Sequence, residues 1–222
     1  MIEELLPHVN WEKMWEATVE TLYMTGVSTL YTFIFGLVLG VLLFLSSPGQ
    51  LWKNKIVYGV TGAFVNIFRS IPFIILIILL IPFTTLFVGS MRGPEAAIPA
   101  LVIGAAPFYA RMVMIGLREI DKGVIEAARS MGAKTSTIIF KVLLPESMPA
   151  LISGITVTSI ALVGYTAMAG VIGAGGLGNL AYYEGFQRSR TDVMIVATII
   201  ILIIVFAIQI IGDIAVKKMD KR

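Results

Sequence analysis

The chain has 222 residues, of which 57% are hydrophobic and only 14% are charged, with a formal net charge of +3. Because an average soluble domain carries roughly 25% charged residues, this composition leaves too little polar surface for a water-soluble fold of its size. The absence of cysteine and the presence of a single histidine, His8, exclude disulfides, thiolate catalysis, Cys-based metal sites and histidine clusters.

The first apolar run extends from about residue 21 to residue 45, and the turn signal Ser46-Ser47-Pro48-Gly49 ends it. A second run continues for 33 residues from Ile56 to Val88, whereas an upright membrane helix needs only about 20. Either it forms one strongly tilted helix, or its first part lies at the membrane interface and the span begins near Ser70-Ile71-Pro72. The sequence leaves both alternatives open.

Three further apolar runs complete the chain. We place the third span at about residues 96–117, the fourth at 149–172 and the fifth at 193–216. Pro99 and Pro107 interrupt the third span and are tolerated where neighbouring helices satisfy the freed backbone groups.

The basic residues indicate the orientation of these five spans. Lys and Arg are concentrated in the loops after the first and third spans and in the C-terminal tail, so the positive-inside rule places those segments in the cytoplasm and the N-terminus and residues 173–192 outside. Charges dispersed in this way predict no nucleic-acid surface. We therefore predict an all-α polytopic membrane protein of about five transmembrane helices, organised as an extracytoplasmic segment 1–20, a transmembrane domain 21–216 with a cytoplasmic helical loop 118–148, and a basic cytoplasmic tail 217–222.

The cytoplasmic loop has the spacing of two short helices bent about a glycine. Asp121 is expected to cap the first helix, Gly132 to end it in a left-handed conformation, Thr135 or Ser136 to cap the second, and Pro145 to stop or kink it. Helical spacing gives each helix one apolar face, formed by Val124, Ile125, Ala128 and Met131 in the first and by Ile138, Ile139, Val142 and Leu143 in the second. Periodicity alone allows either a loop on the membrane surface or one that enters another protein.

The order of residues in this loop resembles the EAA loop of ABC-importer permeases, which reads Glu-Ala-Ala, three residues, Gly, nine residues and Ile-x-Leu-Pro. The matching residues are Glu126, Ala127, Ala128, Gly132, Leu144 and Pro145, and Val142 replaces the Ile. The resemblance implies a mechanical role, in which the loop docks into a cleft on a cytosolic ATPase and moves as a rigid body when ATP closes the ATPase pair. The alanines and the glycine would permit close approach, and Glu126 would hold the docked geometry by hydrogen bonding or ion pairing.

Nearly the whole chain from about Thr18 resembles the methionine-importer branch of these permeases, above all at residues 66–73, 105–112 and 162–170. The resemblance implies a homodimeric permease in a bacterial cell membrane, two copies of an ABC ATPase, an extracellular substrate-binding (lipo)protein and an amino-acid substrate, with methionine as the first expectation. ATP and Mg would be bound by the ATPase. We therefore expect this chain to bind no cofactor or metal and to have no catalytic site.

The resemblance also implies a gate in the fourth span. It places Met168 where the translocation path closes, although a Met there could simply fill a gap in the core. Gly164 and its small neighbours would allow close helix approach, and Tyr165 belongs to the same segment. Arg69 is a further candidate for the path: a tilted second span would bring it within reach of substrate, whereas a span starting at Ser70 would make it an interfacial anchor, which we favour.

The sequence argues against two other classes of protein. A small ion-coupled secondary amino-acid carrier generally has acidic groups at membrane depth, but here only Asp213 lies in a span, near its cytoplasmic end. A membrane enzyme would need paired carboxylates or a triad, which the spans lack. The glycine run at residues 173–178 lacks the Lys-Ser/Thr of a P-loop and follows a membrane helix rather than a strand, so we interpret it as a re-entrant or helix-ending turn.

Overall fold

The computed structural model describes residues 6–219, and all regular structure within that range is helical. The α-helices in chain order are α1 (Trp11–Ser46), α2 (Lys55–Ser70), α3 (Phe73–Val88), α4 (Pro94–Arg118), α5 (Lys122–Ser130), α6 (Thr135–Ile138), α7 (Leu144–Val171), α8 (Gly176–Asn179) and α9 (Thr191–Met219). Two π-helical segments, Ile139–Leu143 and Leu180–Phe186, extend α6 into α7 and continue α8. Four helical stretches in this range are long and apolar enough to cross a membrane, and α2 with α3 makes a fifth if this bent pair is one span.

The helix that contains the first span begins earlier than the span predicted from composition. Helix α1 starts at Trp11, ten residues before the expected start of the span, because the side chain of Asn10 caps it by accepting a hydrogen bond of 3.0 Å from the backbone N–H of Lys13. No Gly or Pro interrupts the segment between Trp11 and Glu20. Residues 11–20 are therefore a continuous helical extension of the first span.

The second apolar run matches neither a single tilted helix nor an interfacial segment followed by a span. It forms α2 and α3, whose axes are bent by 110° at a short break. The break follows from Pro72, which disfavours the helical conformation of the residue before it, and Ile71 is indeed extended, with φ −80° and ψ 123°. The position of the break was anticipated from the sequence, and its geometry was not.

The bent pair connects the two ends of the bundle. The α1–α2 loop, from which the pair begins, lines a cavity together with Glu126 and Arg129 of α5. The pair therefore begins at the end of the bundle that carries α5, which we name the α5 end. After its last residue, the backbone N–H of Gly93 donates a hydrogen bond of 3.0 Å to the carbonyl of Gly173, which belongs to the glycine run at the opposite end, here named the glycine end. Since the pair begins at one end and leaves at the other, it is a broken span, and residues 6–219 cross the bundle five times.

Small residues hold α1 and α4 together. A Cβ placed on Gly36 would lie 2.9 Å from the carbonyl oxygen of Ala106, and one on Gly40 would lie 2.6 Å from that of Ala110. Lipid tails provide no hydrophobic force that drives helices together, so close van der Waals packing has to do so. Helix α7 packs on this α1–α4 pair. The Tyr109 hydroxyl of α4 donates a hydrogen bond of 3.2 Å to the carbonyl of Leu151 in α7.

The α5 end is part of the main hydrophobic core. Ile125 and Ala128 of α5, Ile138 of α6 and Leu143 of the π-helical segment pack in one buried cluster, which includes Leu43, Leu117 and Leu151 of the long helices. The loop is thus fixed to the spans by burial, and it is not a flexible connection lying beside them.

Candidate functional site

The first short helix of the cytoplasmic loop is built as its sequence predicts. Asp121 caps it, with Oδ1 accepting a hydrogen bond of 2.6 Å from the N–H of Gly123. Gly132 has φ +76°, and the bonds from Gly132 N–H to Arg129 O and from Ala133 N–H to Ala128 O close the helix end in the arrangement that a left-handed C′ residue allows. The glycine is required there for its backbone conformation.

The second short helix differs from the prediction at both of its ends. Lys134, without a side-chain hydrogen bond, occupies the cap position, and Thr135 is already the first helical residue. Pro145 does not stop the helix, because the π-helical segment Ile139–Leu143 leads directly into α7, in which Pro145 is the second residue. A π-helix forms i→i+5 hydrogen bonds in place of the i→i+4 bonds of an α-helix. This change occurs in the turn before Pro145, which lacks an N–H donor and whose ring crowds that turn.

The residues of the EAA-like pattern divide between surface and core. Glu126, Ala127, Gly132 and Pro145 are exposed, Leu144 is half-buried, and Ala128 is buried against the chain's own core. Ala128 therefore supports the loop from within and does not lie on its free surface. The predicted apolar face of α5 is split in the same way: Ile125 points inward, whereas Met131 is 83% exposed. Phe140, 69% exposed in the π-helical segment, was missed because it lies in the unspecified nine-residue spacer.

Two of the predicted gate residues, Gly164 and Met168, lie on a side of α7 that the rest of residues 6–219 leaves uncovered. Met168 is 46% exposed, Val157 is similarly exposed, and a Cβ on Gly164 would meet no atom of the described chain within 4 Å. Spacings of four and seven residues put these three residues on one face of the helix. Met168 therefore does not fill a gap in the core of its own chain, and we name this side the free face of α7.

Arg69 and Tyr165 line one cavity of about 270 Å³, which we name the Arg69 cavity. Its other lining residues include Phe68, Phe73, Gly104 and Phe108. Gly104 and Phe108 lie midway along α4, so the cavity that the exposed Arg69 lines is at mid-depth of the bundle. Gly164 and Met168 do not line this cavity, but they flank Tyr165 on α7.

The glycine run forms an ordered turn at the glycine end. Gly173, Gly175 and Gly176 all have positive φ, which glycine adopts without strain. The turn is held by α1: Glu20 Oε2 accepts a hydrogen bond of 2.6 Å from the N–H of Gly176, and Thr21 Oγ1 accepts one of 2.9 Å from the N–H of Leu177. Sequence reasoning identified the turn but missed Glu20, because its partners are 156 residues away.

Replacing Glu20 by alanine should lower the stability of the permease by about 1–3 kcal/mol, since the N–H of Gly176 would lose a charged acceptor while remaining largely buried. The measurement is the thermal unfolding midpoint of the purified protein. Glu16→Ala is the matched control, because Glu16 is an exposed acidic residue one turn earlier on the same helix and should change stability by less than about 0.5 kcal/mol. Equal shifts in the two variants would contradict the role given to Glu20.

Comparisons with known proteins identify the family of the chain. A family model described as the binding-protein-dependent transport system inner membrane component matches residues 32–222. The methionine import system permease protein MetP of Bacillus subtilis (strain 168) is 67% identical over 222 residues, covering 100% of both chains. The D-methionine transport system permease protein MetI of Escherichia coli (strain K12) is 54% identical over 151 residues, which cover 68% of this chain and 70% of that protein.

Solved structures show the same architecture. A chain of the MetNI methionine ABC transporter in an inward-facing conformation superposes with a TM-score of 0.93 at 47% identity, covering 96% of this chain and 100% of that chain. An amino acid ABC transporter determined with histidines superposes with a TM-score of 0.77 at 18% identity, covering 93% and 94% of the two chains. The second similarity supports the fold alone.

Proposed function

This chain belongs to the family of binding-protein-dependent transport system inner membrane components, and from this premise we propose that it forms the path by which methionine crosses the membrane. It is a multi-pass permease subunit of an ABC importer, and ATP hydrolysis is the work of a separate subunit. The observation that carries the choice of methionine is the 67% identity with a methionine import permease over the full length of both chains. The same relationship favours an importer over a small ion-coupled carrier.

Two copies of this chain, two ATPase subunits and an extracytoplasmic binding protein complete the proposed transporter. The free face of α7, with Gly164 and Met168, supports a second copy as its partner, because exposed small residues allow the close approach of two helices. The gate would then lie where the two copies meet. Basic residues at the α5 end support a cytoplasmic location for that end and for the C-terminus, with the N-terminus and the glycine end outside.

We place the ATPase at the α5–α6 loop, with Glu126 and Gly132 at its exposed surface. The support for this role is mechanical as well as chemical. Ile125, Ala128 and Leu143 share one core with the long helices, so a displacement of the docked loop has to move α4 and α7 as packed units. Packed cores switch between discrete arrangements and do not stretch continuously, which is what coupling of ATP binding to reorientation of a path requires.

Reconstitution in liposomes tests the proposed function. With the ATPase subunit and ATP in the lumen and the binding protein outside, we expect accumulation of radiolabelled methionine that depends on both ATP and the binding protein. A non-hydrolysable ATP analogue and omission of the binding protein are the controls, and each should reduce uptake to background. Uptake by this chain alone, driven by a pH gradient, would instead support the ion-coupled carrier.

A further inference from the structure

The Arg69 cavity contains the guanidinium of Arg69 at mid-depth of the bundle. Arg69 lies at the last turn of α2, directly before the bend into α3, and its guanidinium makes no hydrogen bond or ion pair with any other residue between 6 and 219. Charged side chains within membrane segments are costly and ordinarily face a cavity or a partner that compensates them. A guanidinium that faces a cavity can therefore bind an anion supplied from outside the chain.

The rest of the cavity is aromatic. Phe73 and Tyr165 form a parallel stack with ring centroids 4.4 Å apart and planes 5° apart, and Phe68 and Phe108 add two further rings to the lining. Phe73 also packs toward Gly104, where a Cβ would lie only 3.1 Å from its ring. Gly104 thus leaves room for the ring of Phe73 and preserves a rigid apolar wall beside the charge.

The size and charge of the cavity restrict the class of ligand. Its volume of about 270 Å³ is near the lower limit of the roughly 300–1,000 Å³ that small-molecule pockets have. Arginine binds carboxylates through two parallel N–H donors, and the aromatic rings provide contact for an apolar or thioether side chain, since sulfur interacts favourably with aromatic edges. None of the lining residues carries a carboxylate, so the cavity selects for the anionic group of a ligand.

We propose that the Arg69 cavity is a substrate-binding site of the permease, in which the guanidinium binds the α-carboxylate of the transported amino acid and the Phe73–Tyr165 stack contacts its side chain. The site rests on the proposed function and extends it, because it gives the path a point of recognition of its own. Tyr165 connects the site to the gate, since it stands on α7 between Gly164 and Met168. An amino acid that leaves the cavity past Tyr165 reaches the free face of α7.

Equilibrium binding to the complete transporter, without binding protein, tests the site. The permease–ATPase complex is placed in nanodiscs of neutral lipid, titrated with radiolabelled methionine, and compared with the ATPase subunit alone to subtract binding to that subunit. We expect saturable binding that Arg69→Gln weakens at least tenfold, that Arg69→Lys weakens less, and that methionine methyl ester fails to displace. Arg92→Gln is the matched control, because Arg92 is an exposed arginine at the glycine end and its loss should leave binding unchanged.

The outcomes distinguish failure of this site from failure of the proposed function. If the wild-type complex takes up methionine with ATP and binding protein but Arg69→Gln binds and transports it equally well, the site is wrong and the function stands. If the wild type takes up no methionine, the function itself fails. The competition with the methyl ester uses the wild-type protein, so its result does not depend on the folding of a variant. Displacement of methionine by the ester at the same concentration would overturn the carboxylate role. Loss of methionine binding on titration with phosphatidylglycerol would show that a lipid phosphate occupies Arg69 instead.

Discussion

Replacing Glu126 by lysine is expected to abolish ATP-driven methionine uptake while leaving the permease folded and inserted. Glu126 is exposed on α5, so its substitution should change the stability of the permease by no more than about 0.5 kcal/mol. At a docked interface the same change replaces an acceptor of hydrogen bonds with a repelling cation, and loss of one partner of a buried charged pair costs about 2–5 kcal/mol. Binding of the ATPase should therefore weaken at least about 30-fold, by the relation of about 1.4 kcal/mol per factor of ten.

The measurement for Glu126→Lys has two parts: co-purification of the ATPase with tagged permease in detergent, and uptake by proteoliposomes. Glu16→Lys makes the same change of charge at an exposed position of α1, and Glu16 lies near the glycine end, on the other side of the membrane from the proposed ATPase. That control should retain the ATPase in full. A Glu126→Lys permease that retains the ATPase and transports normally would remove this residue from the docking surface.

Elements specified by local signals could be predicted from the sequence. The third span was expected at residues 96–117 and is α4, Pro94–Arg118, and the fifth was expected at 193–216 and is α9, Thr191–Met219. Continuous hydrophobicity is sufficient for these helices, because the bilayer requires that each backbone group be satisfied within its own segment. The left-handed Gly132 and the Asp121 cap are local in the same sense, since each depends on backbone groups only a few residues away.

Features that depend on distant contacts could not be predicted. Pro72 indicated a break, but the bend of 110° depends on where Phe73 and Leu76 pack against Gly104 of α4. The position of the Arg69 cavity at mid-depth follows from that bend, and no local signal in the sequence indicates it. Glu20 caps the glycine run by accepting a hydrogen bond from Gly176. The acidic segment that contains Glu20 and the glycine-rich segment carry no sequence pattern that indicates this contact.

The α1–α4 contact provides a test in which two glycines of one helix should respond in opposite directions. A Cβ on Gly40 would lie 2.5 Å from Cβ of Val113 and 2.6 Å from the carbonyl oxygen of Ala110, whereas a Cβ on Gly26 would meet nothing within 4 Å. Gly40→Ala should therefore destabilise the permease by about 3 kcal/mol or more, at the upper end of overpacking costs, because backbone atoms cannot rotate away as a side chain does. Gly26→Ala should stabilise it by about 0.5–1 kcal/mol, because alanine loses less backbone entropy in a helix.

The two alanine variants of α1 are best compared by the midpoint of thermal unfolding and by the fraction of monodisperse protein after solubilisation. Helix propensity alone would raise the midpoint in both, since alanine exceeds glycine by about 1 kcal/mol at an interior helical position. A lower midpoint for Gly40→Ala together with a higher one for Gly26→Ala can thus arise only from the difference in their neighbours. If both midpoints rise, α1 and α4 are farther apart than described, and the frame that positions Tyr109, α7 and the gate would have to be revised.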